Sequence, residues 1–146
     1  MDEQWIKFVA DTATYPEMLD FVVNAAKAEG ISDKKLLKLQ LGFEEAVVNV
    51  IHYAYAGQAA PGFIWLGIAC KAGTFVIKVA DQGVPFNPLE REDPLAGNVS
   101  QPENLMDAKI GGLGISFIKR TFNQVMYQYE AGREKGRNVL TLSMTL

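Results

Sequence analysis

The sequence predicts an α+β domain, a two-layer sandwich with a mostly antiparallel sheet and its helices gathered on one face. Three observations carry this. Five short runs are rich in β-branched and apolar residues, and the last four pair off as two hairpins around short polar turns. Two segments with helical apolar spacing follow one another between the first and second runs. A third helical segment opens behind glycines after a long polar loop, giving the order strand, two helices, two strands, loop, helix, two strands. With 146 residues and no internal repeat, the chain reads as one domain, 1–146.

Each element has its own signal. "QWIKFVA" (4–10) alternates loosely and reads as a strand. In "TYPE" (14–17), Thr14 and Glu17 have the spacing of a capping box, and Pro16 falls in the first turn. Met18, Leu19, Val22, Ala25 and Ala26 then keep helical spacing until Gly30 stops the helix. Ser32 caps a second, long helix with the stripe Leu36, Leu39, Phe43, Ala46, Val50 and Tyr53. "FIWLGIAC" (63–70) and "TFVIKVA" (74–80) flank the turn "KAG" and form a hairpin. Residues 86–110 hold Pro, Asn and charges without periodicity, the pattern of a functional lid or of disorder. "GGLGISFIKRTF" (111–122) returns to helical order, and "QVMYQYE" and "NVLTLSMTL" close the chain as a second hairpin.

Composition narrows the function classes. Net charge is −3 with a pI near 5.2, and no Lys/Arg cluster stands out, so no nucleic-acid partner is expected. No apolar run approaches the length of a membrane span, and the N-terminus lacks a signal-peptide pattern. The single cysteine, Cys70, sits in an apolar run and reads as a buried thiol in a reducing compartment, which points to a cytoplasmic protein.

Three short patterns carry candidate chemistry. In "GFEEAVVNVIHYAYAG" (42–57), Glu45 and Asn49 lie four apart, on one helix face. An amide oxygen beside a carboxylate suits Mg2+ held by nucleotide phosphates, with the carboxylate free to accept a proton. A solvated helix edge would carry the same spacing. In "DQGVP", Asp81 follows an apolar strand, where an acceptor can read a purine amino group, and Gly83 lets a flat ring approach. Alone, the pattern is also that of an ordinary turn. "GGLGI" (111–115) exposes backbone N–H groups at a helix start, where phosphate is favoured. It is neither a Walker A loop nor a dinucleotide fingerprint.

Taken in order, these patterns resemble the N, G1 and G2 boxes of the GHKL ATPases, whose Bergerat fold is shared by gyrase, heat-shock chaperones, histidine kinases and mismatch-repair proteins. Within that superfamily, "EEAVVNVIHYAY" and "GGLGISFIK" are most similar to the small bacterial anti-sigma-factor serine/threonine kinases. The resemblance spans residues 10–145. It implies ATP and Mg2+ as cofactors, Glu45 as general base, Asn49 as metal ligand, Asp81 as acceptor from the adenine amine, and Gly83 lining the adenine pocket. It also implies that Gly112, Leu113 and Gly114 place backbone amides on the phosphates, that residues 86–110 form the ATP lid, and that Lys109 meets the terminal phosphate. An ordinary solvated lysine remains the other reading of Lys109.

Glu44 is the rival carboxylate, rotated by about 100° from Glu45 and lacking the four-residue step to Asn49. Two features depart from the family pattern. Where many relatives carry Gly-Thr before the final strand, Gly136 is followed by Arg137 and Asn138, so the adenine contact is either made by Asn138 or absent. His52, the one histidine, has no partners for zinc and reads as locally structural.

The resemblance implies a protein kinase that phosphorylates a serine of a small anti-sigma-antagonist-type protein, binds a sigma factor, and forms a homodimer. The alternatives are a non-catalytic partner-switching module that keeps ATP, or an ATPase domain related to sensor histidine kinases. The intact Glu45 argues against the first. The second is disfavoured because no dimerisation helix precedes the domain.

Overall fold

The computed structural model describes residues 3–55, 62–90, 118–132 and 136–146. Strand β1 (Gln4–Val9) leads to a 3-10 turn at Thr12–Thr14, capped by Asp11, whose side chain accepts from Ala13 N at 3.1 Å. Helix α1 (Tyr15–Ala28) follows without a break. This corrects the expected capping box. Thr14 does precede α1, but its backbone is already helical (φ −89°, ψ −11°) and its side chain caps nothing. An N-cap side chain reaches the first free N–H groups from extended backbone, and the preceding turn removes that geometry. Asp11 does the capping one turn earlier.

Gly30, at φ +84°, ends α1 as expected. Ser32 is extended and its Oγ accepts from Lys35 N at 3.3 Å, opening α2 (Asp33–Asn49). The helix does not stop at Asn49 but widens into a π-turn at Val50–Ala54. Its stripe Leu36, Leu39, Phe43, Ala46 and Val50 is buried, as the spacing requires.

The sheet has five strands in the order β1-β2-β3-β5-β4, with every neighbouring pair antiparallel. The others are β2 (Phe63–Lys71), β3 (Thr74–Asp81), β4 (Gln124–Glu130) and β5 (Arg137–Thr145). Ala72 (φ 52°) and Gly73 (φ 78°) close the β2–β3 hairpin, both left-handed as a two-residue turn of this kind demands. A helical turn at 118–121 precedes β4 and buries Ile118, with Phe122 just beyond it. The mixed α+β architecture is that expected from the sequence.

One layer of apolar side chains joins sheet and helices. Met18 and Val22 of α1 and Leu39, Phe43 and Ala46 of α2 meet Ile64, Leu66 and Ile68 of β2, Phe75 and Ile77 of β3, and Leu142 of β5. The inward row of β3 runs Phe75, Ile77, Val79, Asp81, and that of β5 runs Met144, Leu142, Leu140, Asn138. Because strand side chains alternate, each row ends on a polar residue, and the register sets Asp81 opposite Asn138. The core thus gives way to a polar pair at one end of the sheet, where α2 finishes.

Candidate functional site

The described residues include three buried polar side chains, Asn49, Asp81 and Asn138, each 4% exposed or less. All three line one pocket, an open hollow of about 330 Å3. A valine or leucine at such a position would contribute roughly 1.5–3 kcal/mol by burial, whereas a polar group is costly there unless partnered. Their convergence on one hollow makes it the candidate ligand site among the described residues. Ala46, Val50, Val79 and Leu140 supply its apolar walls, and Phe86 and Tyr127 add aromatic ones.

Asp81 is fixed from two sides. Its Oδ1 accepts from Gly83 N at 2.9 Å and from Asn138 Nδ2 at 2.8 Å. Burial holds the pKa of its carboxyl above the ordinary value, and these two hydrogen bonds offset only part of that rise. Oδ2 accepts no hydrogen bond among the described residues. Asn138 is tied further: Nδ2 donates to Val84 O at 2.9 Å, while Oδ1 accepts from Phe86 N at 3.0 Å and from the Tyr127 hydroxyl.

The loop after β3 is held against the end of α2. A Cβ on Gly83 would lie 2.0 Å from the Ala54 carbonyl oxygen, so only glycine permits this approach. Val84 N donates to the same oxygen at 3.2 Å. Sequence reasoning gave Gly83 to an approaching ring, but the space a side chain would fill is taken by the π-turn of α2. Tyr55, just past that turn, accepts from Gln82 N at 2.8 Å and donates to Phe63 O. Tyr53 stacks on Phe86 with ring centroids 5.7 Å apart, bracing the pocket's outer wall.

Asn49 faces the same hollow from α2. Its Nδ2 donates to Glu45 O at 2.9 Å, a bond back along the helix that orients the amide. Its Oδ1 is buried and meets no donor among the described residues. A buried acceptor without a donor costs about 1–3 kcal/mol, and a cation can supply what is missing. The donor set therefore fits Mg2+, which takes one or two protein oxygens and keeps several waters. No group of three or more metal-ligating carboxylate, histidine or cysteine side chains occurs among the described residues.

Glu45 is half-buried and Glu44 exposed, as the helix geometry separating them predicts. Glu45 lies one turn before Asn49, outside the pocket lining, with Oε2 buried. Nearby, Tyr15 stacks on Phe43, and burial together with the charges of Glu44 and Glu45 raises its pKa, so its hydroxyl stays protonated. His52 is exposed on the π-turn and is not part of the lining. Lys109, Gly112, Leu113 and Gly114 lie outside the described residues, as does the expected lid except for 86–90.

A family model described as the histidine kinase-like ATPase domain matches residues 8–144. The chain belongs to that family. Two solved structures share the fold of this ATPase domain. The RsbU and RsbW domains of Rv1364c from Mycobacterium tuberculosis align at TM-score 0.65 and 14% identity, covering 100% of this chain and 33% of that one. The ATPase domain thus spans a third of that relative's length. The SiaB–SiaC complex from Pseudomonas aeruginosa aligns at TM-score 0.66 and 13% identity, covering 97% of this chain and 89% of the other. A search of curated proteins gives no match. Family membership and fold agree with the GHKL resemblance, and an ATPase domain implies ATP as its ligand.

Tyr127 and Phe86 carry no site signal in their sequence patterns, and Asn138 enters there only as one of two alternatives for the adenine contact. A signal for Asn138 was present: alternation places it in the row of Leu140, Leu142 and Met144, where a polar residue is out of place.

Proposed function

We propose that the chain is an ATP-dependent protein serine/threonine kinase and anti-sigma factor, acting on a serine of a small anti-sigma-antagonist-type protein in the cytoplasm. The observation that carries this is the convergence of Asn49, Asp81 and Asn138 on one hollow, with Asn49 Oδ1 lacking a donor and Asp81 Oδ2 left for a ligand. The family supplies ATP, and the fold shared with structures containing RsbW and SiaB supports a partner-switching role. A homodimer belongs to the same reading.

In this reading Asp81 Oδ2 accepts from the purine 6-amino group between the apolar walls, and Asn49 Oδ1 holds the Mg2+ of Mg·ATP. Mg2+ bound there would offset the negative charge of the phosphates. Glu45 accepts the proton as the serine Oγ forms its bond to the γ-phosphorus and the bond to ADP breaks. Lys109 and the backbone of Gly112, Leu113 and Gly114 cradle the phosphates, with residues 86–110 as lid.

The test is transfer of label from the γ-phosphate of ATP to a small protein captured on the chain with ATP present. Phosphoserine or phosphothreonine on that protein supports the reading, and its absence with ATP bound overturns it. The metal assignment has its own check. Asn49→Ala should bind nucleotide about tenfold or more weakly than the parent with Mg2+, by loss of one charged contact, yet equally in EDTA. Equal loss under both conditions would contradict a metal role.

A further inference from the structure

Asn138 ends the inward row of β5 opposite Asp81, and its hydrogen bonds determine what it can do. A primary amide offers two N–H donors and an oxygen with two lone pairs. Here all four are used: Nδ2 serves Asp81 Oδ1 and Val84 O, and Oδ1 serves Phe86 N and the Tyr127 hydroxyl. The way up of this amide is not ambiguous. A backbone N–H can only donate and a carbonyl can only accept, so Phe86 N demands the oxygen and Val84 O demands the nitrogen.

A side chain so committed has nothing left for a ligand while its partners stay in place. It contacts the base only through Asp81. With Gly83 N it places two donors on Oδ1, and Oδ2 is then the acceptor that remains. A carboxylate turned this way accepts from a 6-amino purine and opposes a 6-oxo one, whose oxygen brings a second acceptor to the same place.

Resting on the ATP-binding reading above, we propose that Asn138 is a positioning residue that sets a preference for 6-amino over 6-oxo purine nucleotides by occupying one oxygen of Asp81. It does so without touching the base. The same amide holds Phe86 N, so the residue that orients the base reader also anchors the first residue beyond Pro85 and the aromatic wall stacked on Tyr53.

The experiment titrates Mg·ATP, Mg·ITP and magnesium tripolyphosphate into the parent, Asn138→Leu and Asn138→Thr, with thermal melting as the folding control. The parent should prefer ATP to ITP by at least about tenfold. Asn138→Leu removes the Nδ2 donor from Asp81 Oδ1 and leaves Gly83 N alone on that oxygen, so the ATP-to-ITP ratio should fall by about fivefold, with tripolyphosphate binding retained. Asn138→Thr keeps one hydroxyl donor and should give an intermediate ratio. If the leucine variant does not fold, Asn138→Ala removes the same donors without bulk and is judged by the same ratio.

An unchanged ratio in the donor-free variant, or equal weakening of all three ligands, would overturn the role. A parent that binds ATP and ITP alike would overturn it while leaving ATP binding intact. A parent that binds no nucleotide would remove the ATP-binding reading itself.

Discussion

Glu45→Gln is expected to bind Mg·ATP nearly as the parent does while phosphoryl transfer to the protein substrate falls by about 10²–10⁴-fold. The amide fills the same space on α2 and keeps the backbone carbonyl that accepts from Asn49 Nδ2. What it cannot do is take the serine proton. Phosphoryl transfer depends mainly on positioning and charge stabilisation, which places the expected loss toward the lower end of that range. Glu44→Gln, on the exposed face of the same turn, should transfer at the parent rate. The two variants together separate a base from a general loss of negative charge. Single-turnover transfer with label on the γ-phosphate, alongside calorimetric ATP binding, measures both quantities. A Glu45→Gln protein that transfers at the parent rate would remove Glu45 as the base.

Asp81→Asn is expected to lose about 10- to 150-fold in ATP affinity while the fold holds or gains stability. An asparagine can keep Oδ1 where Gly83 N and Asn138 Nδ2 donate to it, and it then presents NH2 where Oδ2 stood. Two donors would face each other across the contact with a 6-amino purine. The stability change follows from the sign of the carboxyl shift. Burial raises the pKa of Asp81 in the folded protein, so ionisation there is less favourable than in the unfolded chain. The destabilisation is absent below the unfolded pKa, grows as pH rises toward the folded one, and is fully present above it. At neutral pH the substitution relieves it. Calorimetry and thermal melting on the same preparations check the pair of expectations. Lost affinity with an equally lowered melting temperature would mean that Asp81 acts through the fold rather than by reading the base.

The elements legible from sequence were those whose signal is local and periodic. The stripe from Leu36 to Val50, the Ser32 cap, the Gly30 stop and the "KAG" hairpin depend on spacing or on one residue's backbone freedom. Thr14 misled because a capping box is a pattern of residue types, and the 3-10 turn that occupies its backbone is set by Asp11, outside the motif. Asn49 and Asp81 stand out in sequence because each sits in a recognisable short pattern, and both line the pocket. Asn138 was harder to place, since its role arises from the register that sets it opposite Asp81 across fifty-seven residues of chain. Gly83 shows a different limit. Sequence gives the freedom of a glycine but not the neighbour that requires it, and here that neighbour is the Ala54 carbonyl. The π-turn at Val50–Ala54 that presents this carbonyl has no periodic signature of its own.

A crystal structure with Mg2+ and a non-hydrolysable ATP analogue tests the assignment of this pocket as the ATP site most directly. The expected arrangement has the purine between Val79, Leu140 and Phe86, its 6-amino group donating to Asp81 Oδ2, Asn138 retaining its four hydrogen bonds, and Asn49 Oδ1 in the shell of the metal. A nucleotide bound elsewhere, or bound here with its base away from Asp81 and Asn49 Oδ1 off the metal, would contradict it.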